Sequence, residues 1–232
     1  MSSQASTDRE ALHYCWAGCM DYETAYRWQL SLARARAEKR VGDCLVLLTH
    51  PPVYTTGTRT LPEHLPSAET LQRHGARLFQ SDRGGSITYH GPGQLVGYGI
   101  VDLVLLQYDV HRYVRLLEEA ILCVLRDLGV AGERHATQTG IWVGQAKIAS
   151  IGIKIVRRVT MHGFALNLRN SLSAMRDIVP CGIVGGEVTS LTELGMVPPP
   201  ECEVADRVAS HLGLLLGYAD WRRCDVKELL KK

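Results

Sequence analysis

The sequence predicts an α+β fold, because strand-like and helix-like segments come in blocks and do not alternate regularly. β-branched and aromatic runs typical of short strands begin at residues 44, 53, 77, 86 and 95. Residues 141–168 then read as a meander of the runs IWV, AKIASIGIKIV and VTMHGFALNL. Turns at Gly144-Gln145 and Arg157-Arg158 are too short for a helical crossover, so we expect a mixed or antiparallel sheet flanked by helices.

Amphipathic helices are predicted in three places. The first runs from about Tyr22 to Lys39, and the second opens at the capping residue Asp109 and ends near Gly129. In the second, apolar residues recur at spacings of three and four, which predicts a stripe that packs on the sheet. The third runs from about Val204 to Leu216, after the prolines at 198–200. No linker or repeat divides the chain, so we expect one domain over residues 1–232.

Composition excludes several classes of function. A net charge of +2, from 26 basic and 24 acidic side chains, gives no strong field for nucleic acid or a membrane surface. No apolar run approaches the ~18 residues of a membrane span, and the polar start lacks the features of an export signal. We therefore expect a cytosolic protein, with no nucleic-acid or membrane partner.

The cysteines are expected to be free thiols. They number seven, which is odd, and no export signal accompanies them. Only Cys15 and Cys19 lie close together, without a His or Cys pair at zinc spacing. We predict neither a disulfide framework nor a metal site.

The glycine-rich stretch RGGSITYHGPGQ, residues 83–94, is a candidate ligand-binding segment. Its glycines allow the backbone to approach a ligand, while the short strand between them fixes Thr88, Tyr89 and His90. The spacing matches neither a P-loop nor a dinucleotide-binding fingerprint. A tight hairpin corner with a core histidine is the alternative.

Strand alternation predicts that one lysine faces the interior. In AKIASIGIKIV, Lys147 shares a face with the isoleucines at 151, 153 and 155, whereas Lys154 lies on the opposite face and is free to be solvated. A lysine buried in this way is a candidate for proton transfer. The alternative is a bulge at Gly152 that turns Lys147 outward.

Cys181 is the candidate nucleophile, because IVPCGIVGGEV places it between a proline and several glycines. Rigid backbone and open space suit a reacting thiol, which needs a nearby cation or base. Lys147, His90 and His162 are the candidates for that role. By contrast, Cys44 and Cys123 occupy apolar runs and are predicted to be inert.

Taken together, these motifs resemble the lipoyl(octanoyl) transferase family. They are, in order, HPPVYTTG, RGGSITYHGPGQL, TGIWV with AKIASIGIKI, TMHGFALN and IVPCGI with EVTSL, and they cover about residues 40–195. The resemblance implies the catalytic-domain fold shared by biotin and lipoate protein ligases. It also implies transfer of an octanoyl group from octanoyl-acyl carrier protein to a lysine of a lipoyl domain, without ATP, metal or cofactor. The implied acceptors are the lipoyl domains of 2-oxoacid dehydrogenase complexes and the glycine cleavage H protein.

The resemblance also implies residue roles. Cys181 matches the nucleophile that carries the acyl group as a thioester, and Lys147 matches the lysine that lowers the thiol pKa and shuttles protons. The implied substrate-binding residues are Arg83, Gly84, Gly85, Ser86, Ile87, Thr88, Tyr89, His90, Ser150, Ile151, Gly152, Gly163, Phe164 and Ala165. One departure is Gly99, where the family often has proline. The resemblance therefore does not determine the path of the backbone at this position.

Other functions are compatible with parts of this pattern. An ATP-dependent lipoate or biotin ligase on the same fold needs no cysteine nucleophile. In a non-catalytic module that binds carrier proteins or lipoyl domains, Cys181 and Lys147 would be incidental. A papain-type hydrolase is disfavoured, because its order of Cys before His is not seen. For an octanoyl chain, the isoleucines at odd positions are candidate pocket walls, although core packing explains them equally well.

Overall fold

The computed structural model describes residues 11–178, 187–225 and 228–229. Within them the strands are β1 (Leu12–Cys19), β2 (Cys44–Thr49), β3 (Val53–Thr56), β4 (Arg77–Gln80), β5 (Thr88–His90), β6 (Gln94–Ile100), β7 (Ile141–Val143), β8 (Ala146–Val156), β9 (Val159–Asn167) and β10 (Trp221–Arg223). The α-helices are α1 (Tyr22–Ala37), α2 (Ala68–Arg73), α3 (Val110–Asp127), α4 (Ser173–Arg176) and α5 (Glu201–Leu215). Short 3-10 helices span Pro62–His64 and Leu103–Leu106.

The main sheet is mixed, as predicted. Its seven described strands run in the order β10-β1-β2-β6-β9-β8-β7. β1 pairs in parallel with β10 and β2, and the other neighbours are antiparallel. A smaller sheet, β4-β3-β5, carries the segment that leads into the glycine-rich stretch.

Helices cover both faces of the main sheet. α3 and α5 pack on each other and on one face, where Tyr113, Leu117 and Val208 belong to the larger apolar cluster. α1 packs on β6 and β9 from the other face, where Leu32 joins a second apolar cluster. The Asp109 carboxylate accepts a hydrogen bond from the Arg112 N–H at 2.9 Å, so the predicted cap of α3 is confirmed.

Besides the short β10, the strand that the sequence does not predict is β1. Its sequence, LHYCWAGC, mixes polar and apolar residues without a period of two, yet Leu12 and Cys15 are fully buried. Parallel partners on both sides bury this strand, and such long-range pairing leaves no local pattern. α2 is also unpredicted, because it buries none of its residues and so has no apolar stripe.

Among the described residues, none of the helices combines the length and hydropathy needed to cross a membrane. In the same part of the chain, the cysteines at 15, 19, 44, 123 and 202 are free thiols, and Cys123 is half-buried where the sequence predicts a buried thiol.

Gly99 is explained by the helix above it. A Cβ atom built on Gly99 would lie 2.1 Å from the hydroxyl oxygen of Tyr113 and 3.5 Å from its ring carbon Cζ. The hydroxyl of Tyr113, a fully buried residue of α3, thus fills the space that a side chain at position 99 needs.

We expect Gly99→Ala to lower the free energy of unfolding by about 1–3 kcal/mol, because the added methyl overpacks this contact. In a Tyr113→Phe background the same change should cost much less, since the ring carbon lies at ordinary contact distance. Urea unfolding of the four proteins of this double-mutant cycle measures the difference. An equal cost in both backgrounds would contradict the explanation.

Candidate active site

The segment that contains the candidate nucleophile joins the described chain beside Lys147. Cys181, Pro180 and the glycines at 182, 185 and 186 lie outside the described residues. The first described residue beyond them is Glu187, whose carbonyl accepts a hydrogen bond from the Lys147 N–H at 2.9 Å. The Thr189 N–H in turn donates to the Lys147 carbonyl at 3.0 Å. Residues 187–189 are therefore fixed to the backbone of the candidate lysine.

Lys147 is buried, as the sequence predicts, with 8% of its surface exposed. The alternative of a bulge at Gly152 is wrong, because the β8–β9 register is unbroken from Ala149 to Val156. The register shifts instead between β7 and β8, where Ile141 pairs with Ala149 and Trp142 with Lys147. The Lys147 ammonium lies 4.7 Å from the centroid of the Trp142 ring, within cation–π range.

A cavity of ≈ 460 Å³ lies beside Lys147. Thr137, Gln138 and Thr139 form one wall, and Ile151 and Ile153 form another. Arg59, Gly84, Gly85, Val114 and Gly152 complete the lining. The polar loop and the strand thus leave room for a substrate group next to a buried ammonium.

A second, narrower cavity of ≈ 40 Å³ collects most of the predicted substrate-binding residues. Its predicted lining residues are Arg83, Gly85, Ile87, Thr88, His90, Ser150, Ile151, Gly152, Gly163, Phe164 and Ala165. Gly84 lines the larger cavity instead. Ser86 and Tyr89 line neither of the two, and Tyr89 packs on Tyr54 with ring centroids 5.2 Å apart.

Close backbone contacts explain two glycines of the narrow cavity. A Cβ atom on Gly152 would lie 2.6 Å from the Gly84 carbonyl oxygen, and one on Gly163 would lie 2.2 Å from the Gly97 carbonyl oxygen. At Gly84 the glycine-rich segment therefore lies directly on β8, and at Gly163 the strand β9 lies equally close to β6.

Arg83 anchors the glycine-rich segment from within. Its guanidinium donates to the Thr55 carbonyl at 2.6 Å and to the Gly84 carbonyl at 3.1 Å. The side chain is buried and lines the narrow cavity. It supplies a fixed positive charge close to the predicted substrate position.

His90 is a buried, hydrogen-bonded histidine that also lines the narrow cavity. Its Nδ1 lies 2.8 Å from the Gln94 amide oxygen, which assigns the proton to Nδ1. Burial, with the nearby His50 and Arg83, holds the His90 pKa well below its usual range. His90 is therefore a buried, hydrogen-bonded core histidine and also part of the lining of the narrow cavity, so it fits both of the roles that the sequence allows.

His162 is engaged by a carboxylate. Its Nε2 lies 2.9 Å from Asp82, which also accepts from Lys154 at 2.6 Å and from the Tyr26 hydroxyl at 2.7 Å. Burial lowers the His162 pKa, against the opposing effect of Asp82. Burial raises the Asp82 pKa, but the hydrogen bonds from Lys154, Tyr26 and His162 outweigh it and hold that pKa below its usual range. Lys154 is thus ion-paired, where the sequence left it free to be solvated.

Several site residues carry no sequence signal of their own. Tyr22 and Tyr98 line the narrow cavity, and His50 supports them by accepting from the Tyr98 hydroxyl at 2.7 Å. Burial lowers the His50 pKa to about 4, so this ring is neutral near pH 7. Trp142 lies within the motif TGIWV. Its place opposite Lys147 in the β7–β8 hairpin is the sequence signal that could have identified it.

The fold is shared with solved structures of lipoate and biotin protein ligases. Lipoate-protein ligase A bound with ATP superposes with a TM-score of 0.72 at 17% identity, covering 96% of this chain and 93% of that chain. The putative lipoate protein ligase Ta0514 from T. acidophilum, with bound lipoic acid, gives a TM-score of 0.71 at 18% identity, covering 96% and 92%. A biotin protein ligase from Aquifex aeolicus, in complex with biotin and ATP, gives 0.55 at 10% identity, covering 88% and 70%.

Sequence comparison narrows this class. A family model described as the lipoyl protein ligase A/B catalytic domain matches residues 21–213. The octanoyltransferase of Chloroflexus aggregans is 48% identical over 200 residues, covering 84% of this chain and 90% of the relative. That of Roseiflexus sp. is 49% identical over 200 residues, covering 84% and 83%. The chain belongs to the lipoyl(octanoyl) transferase family, an acyltransferase family, as the motifs indicate.

Proposed function

We propose that this octanoyltransferase accepts an octanoyl group from octanoyl-acyl carrier protein, stores it as a thioester on Cys181 and delivers it to a lipoyl-domain lysine. The acceptors would be the lipoyl domains of 2-oxoacid dehydrogenase complexes and the glycine cleavage H protein. We place this chemistry in one catalytic domain, in the cytosol. The main support is the pair of hydrogen bonds that joins buried Lys147 to Glu187 and Thr189, just beyond the segment of Cys181.

In the first half-reaction, the Cys181 thiol gives its proton to Lys147 and the thiolate attacks the thioester carbonyl of the donor. The carrier thiolate leaves and takes a proton from the Lys147 ammonium. One thioester is exchanged for another, so no nucleotide is needed to drive the step.

In the second half-reaction, the acceptor lysine attacks the Cys181 thioester as a free amine. Lys147 takes a proton from the incoming amine and returns it to the departing Cys181 thiolate. The product is an amide, which is more stable than a thioester and makes delivery irreversible in practice.

The two cavities suit different parts of the substrate. They share Gly85, Ile151 and Gly152 as lining residues. We place the acyl tail toward the narrow cavity, among Ile87, Val96 and Phe164, where each buried methylene contributes ~0.8 kcal/mol. The thioester end would then lie toward the larger, polar cavity beside Lys147.

Intact-mass measurement tests this proposal. We expect the protein, mixed with octanoyl-acyl carrier protein and no ATP, to gain one octanoyl group on the peptide that contains Cys181. Addition of a lipoyl domain should then remove that group and modify one lysine of the domain. A requirement for ATP would identify a ligase, and binding without covalent modification would identify a non-catalytic module.

A further inference from the structure

Glu118 is a fully buried carboxylate that the mechanism above does not use. It lies on the face of α3 that packs toward β7 and β8. Its Oε2 accepts from Arg115 at 2.6 Å and from Arg134 at 3.2 Å, and its Oε1 accepts from the Gly140 N–H at 3.1 Å. A buried ion pair adds little net stability compared with apolar packing, so stability alone does not account for this arrangement.

Two of the three donors to Glu118, Arg134 and Gly140, lie at the two ends of one loop, residues 134–140. Arg134 opens it and Gly140 closes it, while Thr137, Gln138 and Thr139 between them line the larger cavity. Arg134 also donates to Glu119 at 2.5 Å, and this second hydrogen bond helps to fix the first end of the loop. At the Gly140 end, the backbone N–H donates its hydrogen bond to Glu118.

Gly140 forms a wall against the Lys147 side chain. A Cβ atom on Gly140 would lie 2.7 Å from Lys147 Cε and 3.4 Å from Nζ. Its φ of 133° is a conformation that residues other than glycine rarely adopt. Trp142, two residues further on, contacts the same ammonium with its ring. The position of Gly140 therefore sets where the ammonium of Lys147 can lie.

We propose that Glu118 is a positioning residue for acyl transfer: by holding the Gly140 N–H, it fixes the wall that locates the Lys147 ammonium. This inference rests on the proposed role of Lys147. Because proton transfer requires hydrogen-bond distances, a displacement of about 1 Å at Lys147 would cost on the order of 100-fold in rate. Glu118 would act on the chemical step and not on the affinity for the donor.

Two variants separate the contact from the charge. Glu118→Asp keeps the charge for Arg115 and Arg134 but is one methylene too short to reach Gly140. Glu118→Gln keeps an oxygen at the same reach and loses the charge. Glu119→Asp is the matched control, because Glu119 is the next residue of α3 and shares Arg134.

We expect Glu118→Asp to slow octanoyl uptake by Cys181 at least 10-fold, measured by mass in a single turnover, with an unchanged half-saturating donor concentration. The pH midpoint of Cys181 alkylation should also rise. Glu118→Gln should stay within about threefold of the wild type in rate, as should Glu119→Asp, both with the wild-type midpoint.

Two outcomes would overturn the inference: wild-type rate and midpoint in Glu118→Asp, or a Glu118→Gln protein as impaired as Glu118→Asp. If Glu118→Asp does not fold, Glu118→Gln decides alone, because its impairment would show that the charge matters and not the contact. Uptake by the wild-type protein is measured in the same experiment. Its absence would refute the proposed function, and its presence with unaffected variants would refute only the role of Glu118.

Discussion

Cys181→Ala is expected to abolish octanoyl transfer while leaving the fold intact. The thiol is the only group in the proposed mechanism that forms a covalent bond to the acyl chain, so its loss removes the pathway and does not merely slow it. Loss of a nucleophile of this kind costs about 10,000-fold or more in rate. Transfer to a lipoyl domain is measured by mass, and the fold by circular dichroism.

Cys19→Ala is the matched control for this experiment. Cys19 is an exposed thiol at the end of β1, so its removal tests whether any accessible cysteine accounts for the acyl group. We expect full transfer in this variant. Residual transfer by Cys181→Ala would refute the thioester intermediate, and loss of its circular dichroism spectrum would make the cysteine structural.

The fold of this chain is a poor guide to its chemistry. Lipoate-protein ligase A, with bound ATP, has the same fold at 17% identity. In the proposed mechanism, the distinction between a nucleotide-dependent ligase and a thioester-forming transferase rests on particular side chains, foremost on Cys181. A requirement for ATP and the loss of the Cys181 thiol therefore test these two kinds of chemistry separately.

Residues with strong local patterns could be predicted from the sequence. The meander β7–β9 and the capped helix α3 follow from periods of 2 and 3.6 residues, which the pleat and the helix impose directly. The burial of Lys147 is also predicted, although the register of β8 against β7 shifts between Lys147 and Ala149. β1 follows from no such pattern, because its burial depends on strands that are distant in sequence.

The polar network around His162 could not be predicted either, because its partners also lie far away in the sequence. Alternation along β9 assigns His162 to the face of Ile153, its register partner. A φ of 59° breaks that alternation, and the ring instead lies 5.8 Å from that of Tyr26 on α1, stacked and bonded to Asp82. A left-handed residue inside a strand has no signature when it is not glycine or asparagine. Likewise, Glu118 has no sequence signature, because its backbone donor Gly140 lies 22 residues further along the chain.

Lys147→Met is expected to slow acyl uptake by about 100- to 10,000-fold, the usual contribution of a positioned acid–base group. Methionine keeps the length and the apolar contacts with Gly140 and Trp142, so the fold should survive. In the proposed mechanism the ammonium stabilises the Cys181 thiolate, so its removal should raise the thiol pKa. The pH profile of Cys181 alkylation, followed by peptide mass, should therefore shift to higher pH.

Lys147→Arg separates the two roles of the ammonium, provided that circular dichroism shows a folded protein. Arginine keeps the positive charge but does not release a proton at accessible pH, so alkylation should stay near the wild-type profile while transfer remains slow. Lys39→Met, at an exposed position beyond α1, is the control and should leave both measurements unchanged. An unshifted alkylation profile in Lys147→Met would reject the electrostatic role. Fast transfer in Lys147→Arg would reject the proton shuttle, because a group that holds its proton permanently cannot carry one between thiol and amine.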